Sequence, residues 1–211
     1  MCGKPMLAWT VEAALESKYL KWYWVSSDDD AVLACAGKYP IFSVKRPSHL
    51  AQDSTPTLEA LQWTVEQIES RFHFKFDFVV EIRATSPLKT TQDIDGCIER
   101  LIETGADSVI GVTALEDHHP ARAKWLDERG YIHDFIPENP SGRRQDLTPK
   151  AYVRNGTVYA LKREALMGEH GKLFGHEFSV GYEMPAERSV NIDTPLDWDL
   201  AELLMQRRGA Q

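Results

Sequence analysis

Apolar positions along the chain fall into two alternating rhythms. From Leu7 a helical spacing runs through Val11, Ala14 and Leu15, at i, i+4, i+7 and i+8. The aromatic-rich run 21–26 reads as a strand, 29–39 as a helix and 41–44 as a second strand. A long helix is predicted over 55–72, where Leu58, Leu61, Val65, Ile68 and Phe72 recur every three or four residues. Thr55-Pro56 offers it an N-cap and a proline at the first helical position. Residues 77–82 predict a third strand, and Ile94, Ile98, Leu101 and Ile102 form one face of the next helix. A fourth strand is expected at 108–112, with further strands at 151–161 and 178–184. A last helix starts at Thr194-Pro195, with Leu196, Leu200, Leu203 and Leu204 as its apolar face.

Strand and helix in turn, with short connections, imply an α/β fold whose mostly parallel sheet is covered on both faces. We read 1–211 as one domain. The rhythm lapses over about 116–150, where Asp117-His118-His119-Pro120 and Pro137-Glu138-Asn139-Pro140 are polar and irregular. That stretch reads as an insertion, with 131–136 as an isolated strand. In such sheets ligands bind beyond the carboxyl ends of the strands. The loops to watch are therefore Ser27-Asp28-Asp29, Lys45-Arg46-Pro47-Ser48 and Arg83-Ala84-Thr85-Ser86-Pro87.

Composition narrows the class only a little. The chain is 43% hydrophobic and 27% charged, ordinary for a globular protein. A net charge of −8 argues against a non-specific nucleic-acid binder but leaves room for a small anion held by a few arginines. Cys2, Cys35 and Cys97 are odd in number and lack CxxC spacing, which points to a reducing cytoplasm rather than a disulfide framework. No apolar run approaches membrane-spanning length. The sequence has no GxGxxG, GxxxxGK[ST], GxSxG or HExxH. His118-His119, without a carboxylate cluster, reads as structural rather than metal-binding.

Three segments carry the chemistry. They are Arg46-Pro47-Ser48-His49-Leu50-Ala51-Gln52-Asp53-Ser54-Thr55; Arg143-Arg144-Gln145-Asp146-Leu147 followed by Tyr152, Asn155-Gly156 and Tyr159; and Arg188-Ser189-Val190-Asn191-Ile192-Asp193-Thr194-Pro195-Leu196-Asp197-Trp198. With Gly3-Lys4-Pro5-Met6-Leu7 and Thr85-Ser86-Pro87-Leu88, they resemble, in order, the acylneuraminate cytidylyltransferases. That family's pattern runs GKPLL, RP..LA.D, TSPL, RRQDLP…Y..NG..Y, IDIDT.

The resemblance implies a Rossmann-like, nucleotide-diphosphosugar-transferase-like three-layer α/β/α fold. It implies transfer of CMP from CTP to a nonulosonic, sialic-acid-like sugar, with release of pyrophosphate, by a homodimer that uses Mg2+. On that likeness Asp193 and Arg144 are catalytic, and Asp193 with Asn191 holds the metal. Asn191 stands where the family has aspartate, and its neutral amide brings no charge. Arg46, Ala51 and Ser54 fall in the segment that recognises the nucleotide. Arg83, Arg143, Arg144, Gln145, Asn155 and Tyr159 fall where the sugar binds, Arg83 replacing the family's usual glutamine.

Several of these residues have a plainer reading. Asp193 could serve the helix start at Thr194; Arg143 and Arg144 could be a solvated pair; Asn155-Gly156 could be a hairpin turn; Ser54 could be a cap. Lys124 could reach a neighbouring subunit or be a surface lysine. A related CTP-dependent enzyme of other specificity, or a non-catalytic sugar- or nucleotide-binding relative, would carry much of the same pattern. The family's GKPLL is preceded by a strand and an ARGGSKG-like phosphate loop. Here Gly3-Lys4-Pro5 follows Met1-Cys2 directly, so the sequence as given is expected to lack both.

Overall fold

The computed structural model describes residues 1–138 and 142–209. In chain order the elements are α1 (Met6–Leu15), β1 (Trp24–Ser27), α2 (Asp30–Ala36), β2 (Phe42–Lys45), α3 (Thr57–Phe72), β3 (Phe78–Ile82) and α4 (Thr91–Thr104). They continue as β4 (Ser108–Ala114), β5 (Lys124–Leu126), β6 (Ile132–Asp134), β7 (Tyr152–Lys162), α5 (Arg163–Met167), β8 (Ser179–Glu183) and α6 (Pro195–Gly209).

The central sheet has the order β3-β7-β4-β8. β8 lies parallel to β4, whereas β7 is antiparallel to both of its neighbours. The other three strands run the same way, so the sheet is mostly parallel, as expected, with one reversal. β7 follows the insertion rather than a crossover helix, so nothing forces it to run with its neighbours. β7 also shows why helices flank both faces. Val158 and Ala160 point into a core with Ile94, Cys97, Ile98 and Leu101 of α4. Tyr159 and Leu161 point the other way, toward Val65 of α3 and Leu166 of α5. The architecture is a three-layer α/β/α sandwich.

β1 and β2 pair in parallel as a separate two-stranded sheet. Between β1 and β3 lies an apolar slot of about 540 Å3, lined by Val25, Val80, Ile82, Val11, Val65 and Ile68 among others. Each of the two strands turns an edge without a strand partner toward it.

Several local expectations shift. α3 starts after Pro56, which supplies no side-chain cap; Thr55 instead donates its hydroxyl to the His49 carbonyl at 3.1 Å. The predicted face of α6 is turned outward. Leu196 is 75% exposed, and Leu200 and Leu203 are also exposed. The helix docks through Ala201 and Met205 on Leu88 and Met1, with Leu204 alone of the four leucines packing there. Four leucines at helical spacing look like a core face, but small Ala201 permits the closest approach. Residues 131–136 do not form an isolated strand: β6 pairs with β5 in an antiparallel hairpin within the insertion.

Asn155 and Gly156 lie inside β7, not in a hairpin turn. There the register jumps from Ile110↔Tyr159 to Val112↔Arg154, so residues 155–158 oppose only Gly111. This is a bulge. Gly156 takes φ +68° within it, and a Cβ on Gly111 would meet Thr157 Oγ1 at 2.6 Å and Asn155 Oδ1 at 2.7 Å.

Candidate active site

The bulge brings β7 against the turn that leaves β3. The Arg83 amide donates to the Thr157 carbonyl at 3.1 Å, and the Ser86 hydroxyl donates to the Gly156 carbonyl at 3.4 Å. The segment ahead of α6 closes on the same turn, with the Ile192 amide donating to the Thr85 carbonyl at 2.8 Å. Asn191 sits at the junction. Its Oδ1 accepts from the hydroxyls of Thr85 at 2.8 Å and Ser86 at 3.3 Å. Its Nδ2 donates to Asp193 Oδ2 at 2.6 Å.

Asp193 is exposed, and it is not the cap of α6. That task falls to Thr194 and Asp197. Asp197 Oδ2 accepts from the Thr194 amide at 2.8 Å and hydroxyl at 2.7 Å, and the Asp197 amide donates back to Thr194 Oγ1 at 3.3 Å. These bonds hold the Asp197 carboxyl below the usual carboxylate range. The Asp193 carboxylate is thus left to Asn191 and to whatever enters the site.

Arg83 lies beside this group, its Cζ 5.0 Å from the centroid of the buried Tyr159 ring. Its Nε donates to Glu81 Oε1 at 3.1 Å. Asn155 is buried and saturated: its Oδ1 accepts from the Thr157 amide and hydroxyl, and its Nδ2 donates to Ser189 Oγ and Met184 Sδ. It shapes the bulge and offers no free group to a ligand as placed.

The other expected residues lie apart. Arg46 follows β2, with Nε buried and unpartnered and a guanidinium nitrogen 4.0 Å from Asp28. Ala51 closes the short 3-10 turn over Ser48–Leu50, and Ser54 is exposed. Arg46 stands at the end of β2, and Ala51 and Ser54 lie in the connection that follows it, before α3. Among the described residues no hydrogen bond joins them to Arg83, Asn191 or Asp193. Arg143 is 72% exposed and gives both Nε and a terminal nitrogen to Asp146, at 2.8 and 3.2 Å. Arg144 and Gln145 form a 3-10 turn with Asp146; the Arg144 side chain lies outside what the structure describes. Lys124 is tied within the insertion, to Asp134 at 2.6 Å and Glu138 at 2.7 Å, and His119 caps the turn at Pro120.

A family model for cytidylyltransferases matches residues 1–177. The chain belongs to the cytidylyltransferase family. It is 32% identical, over 99% of its own length, to N-acylneuraminate cytidylyltransferase A of Danio rerio, and covers 46% of that protein. It is 29% identical, over 96% of its length, to a pseudaminic acid cytidylyltransferase of Campylobacter jejuni, and covers 85% of that one. It therefore spans about half of the fish relative and most of the bacterial one. Among solved structures, CMP:2-keto-3-deoxy-manno-octonic acid synthetase in complex with CTP superposes with a TM-score of 0.71 at 16% identity. The match covers 98% of this chain and 89% of that one, a likeness of fold.

Lys89 and Glu81 of this cytidylyltransferase escaped the sequence reading, and Arg188 carried no role in it. Lys89 is buried, and its ammonium donates to Thr10 Oγ1 at 2.8 Å and to the carbonyls of Arg83 and Ser86 at 2.7 and 2.5 Å. It ties α1 to the Thr85-Ser86 turn, and burial lowers its pKa to about 7. Arg188 clasps the fully buried Asp93 through two bonds of 2.9 Å, fixing the segment that leads to Asn191. Glu81 interrupts an apolar strand, Phe78-Val79-Val80-Glu81-Ile82, and that interruption was its visible signal.

For magnesium the residues divide. Among the described residues no three His, Cys, Asp or Glu side chains cluster to hold a metal. The Asp193 carboxylate fits an ion held largely by substrate phosphates. Asn191 Oδ1, facing two hydroxyl donors, does not fit as a ligand.

Proposed function

We propose that this chain, as a single cytidylyltransferase module, transfers CMP from CTP to a nonulosonic, sialic-acid-like sugar and releases pyrophosphate. The observation that carries this reading is the convergence of Thr85, Asn191 and Asp193 beside Arg83 at the carboxyl end of β3. Support comes from relatives named for sialic and pseudaminic acids.

In this reading the anomeric hydroxyl attacks the α-phosphorus in line, with pyrophosphate leaving. Asp193, oriented by Asn191, faces the reacting phosphate, and Arg83 meets the sugar. Asp193 would hold magnesium, which would supply neutralisation of the charge that develops on the phosphate oxygens. Arg46, Ala51 and Ser54 hold the nucleotide from the far side of the slot. Arg144 and Gln145 reach in from the insertion, with Arg144 supplying charge in the transition state.

We also propose a homodimer formed through the insertion. The β5–β6 hairpin exposes Leu126, Tyr131, Ile132 and Phe135, and stacks Trp125 on His133 at 4.3 Å between ring centroids. So large an apolar patch on so small a hairpin calls for a partner. The proposed compartment is the cytoplasm, on the three free cysteines. No described helix is long and apolar enough to cross a membrane.

The experiment is pyrophosphate release from CTP with a panel of keto-acid sugars, with and without magnesium. Release with a nonulosonic acid supports the reading; release only with another keto-acid sugar replaces the substrate. A second reading, binding without turnover, is favoured by the slot that separates the nucleotide-side residues from Asp193. CTP binding by calorimetry without pyrophosphate release would establish it.

A further inference from the structure

Beside Arg83 the aromatic surface continues. The Tyr159 ring lies 6.3 Å from the Phe174 ring, centroid to centroid, and the Arg154 guanidinium lies over Phe174 at 3.7 Å. Arg83, Tyr159, Phe174 and Arg154 therefore form one continuous row. Arg83 stands at its inner end and Arg154, exposed on β7 next to the bulge, at its outer end.

The charges in the row are not equivalent. Arg83 has its Nε taken by Glu81. Arg143, the other described arginine in the expected sugar region, is closed off by both oxygens of Asp146. Arg154 has no carboxylate partner among the described residues. Stacking on Phe174 holds its guanidinium plane without consuming any N–H donor, which leaves the planar fork free for a carboxylate.

We propose that Arg154, seated on Phe174, is the residue that reads the carboxylate of the acidic sugar, a role that the sequence pattern directed to Arg143 and Arg144. The inference rests on the cytidylyl-transfer reading and deepens it. The sugar lies along the row, its ring against the exposed Phe174, its carboxylate on Arg154 and its polar substituents toward Arg83. An acid is then preferred over its neutral ester because the ester leaves the Arg154 fork half used. The interaction is made equally in ground and transition states, so it governs sugar affinity rather than turnover.

The test is calorimetric binding of sialic acid and of its methyl ester, with CTP titrated separately, to the protein and to Arg154→Gln, Arg154→Lys and Arg144→Ala variants. The unaltered protein is expected to bind the acid at least about tenfold more tightly than the ester, as one charge-assisted pair implies. Arg154→Gln should bind both at the weaker level and CTP as before. Arg154→Lys should recover part of the difference, because charge returns without the stacked plane. An acid-to-ester ratio that survives in Arg154→Gln, or that is lost in Arg144→Ala instead, overturns the assignment while leaving cytidylyl transfer intact. Failure of the unaltered protein to bind either CTP or the sugar overturns the transfer reading, and this inference with it.

Discussion

Glu81 and Arg83 lie on one strand end, two residues apart, with Arg83 Nε 3.1 Å from Glu81 Oε1. The second Glu81 oxygen is buried with no partner. Burial raises the Glu81 pKa above its ordinary value, and Arg83 offsets that only in part. A folded pKa above the unfolded one means that the folded state binds the extra proton, so stability falls as pH rises through that window. Glu81→Gln removes the titration. Unaltered protein should therefore gain stability relative to Glu81→Gln as pH falls from neutral toward 4.5, and lose it as pH returns. Urea midpoints at several pH values measure the difference; parallel curves for the two proteins would remove Glu81 as a buried acid.

Lys89 titrates with the opposite slope. Its folded pKa of about 7 lies below the ordinary lysine value of 10.5, so between those values the unfolded chain binds more protons and stability rises with pH. The slope is at most about 1.4 kcal/mol per pH unit. Lys89→Met lacks this slope and leaves three oxygen acceptors unpaired, so it should be less stable at every pH. The gap between the two proteins should widen from pH 7 to pH 10, read by thermal melts.

Arg188 and Asp93 make the strongest lock behind the site. Asp93 is wholly buried and also accepts from the Thr90 amide and hydroxyl. Removing Arg188 strands a buried carboxylate, which costs about 3 kcal/mol or more. Arg188→Ala should lower stability by that order in a denaturant titration. Arg188→Ala with Asp93→Asn should recover part of the loss, since a neutral amide tolerates burial better. No recovery in the double variant would mean that the pair acts through packing alone.

How far the sequence could be read depended on the range of the interactions. Elements came through, because Ile94, Ile98 and Leu101 are buried together by a local period that needs no knowledge of the rest of the fold. The face of α6 did not, because its burial is decided by Leu88 and Met1, far away in sequence. Asn155-Gly156 carries the letters of a tight turn, yet it forms a bulge whose register is set by Gly111 on another strand. Asp193 had two readings that the residues alone left level; Thr194 and Asp197 together made the cap and left the Asp193 carboxylate to Asn191. The slot between Arg46 and Arg83 depends on β1 and β3 standing apart, which no local pattern shows.

The roles of Asn191 and Asp193 separate by experiment. Asp193→Ala removes the exposed carboxylate and should reduce magnesium-supported transfer by about a hundredfold or more. Asn191→Ala unties Thr85, Ser86 and Asp193 from one another, so it should lower turnover and stability but keep the magnesium requirement. Asn191→Asp should lower that requirement, since a second carboxylate brings charge to the ion while still accepting from the two hydroxyls. Magnesium titrations of activity decide the matter; one common requirement in all three variants would put the metal elsewhere.

The slot yields the last prediction. β1 and β3 each leave a line of backbone donors and acceptors facing an apolar space of about 540 Å3. Open edges over apolar walls are costly and prone to pairing. An extended segment with large apolar side chains on both faces would pair with both edges and join the two sheets into one. Each such side chain, once buried, contributes about 1.5–3 kcal/mol, so four or five would rival the whole net stability of a domain. The protein should bind ANS, as exposed apolar surface does. An extended peptide of large apolar residues, supplied in trans, should displace the dye and raise the melting temperature. If the dye binding and the melting temperature are the same with and without the peptide, the slot is not a strand seat, and the β1–β2 sheet stands apart from β3 by design of the fold.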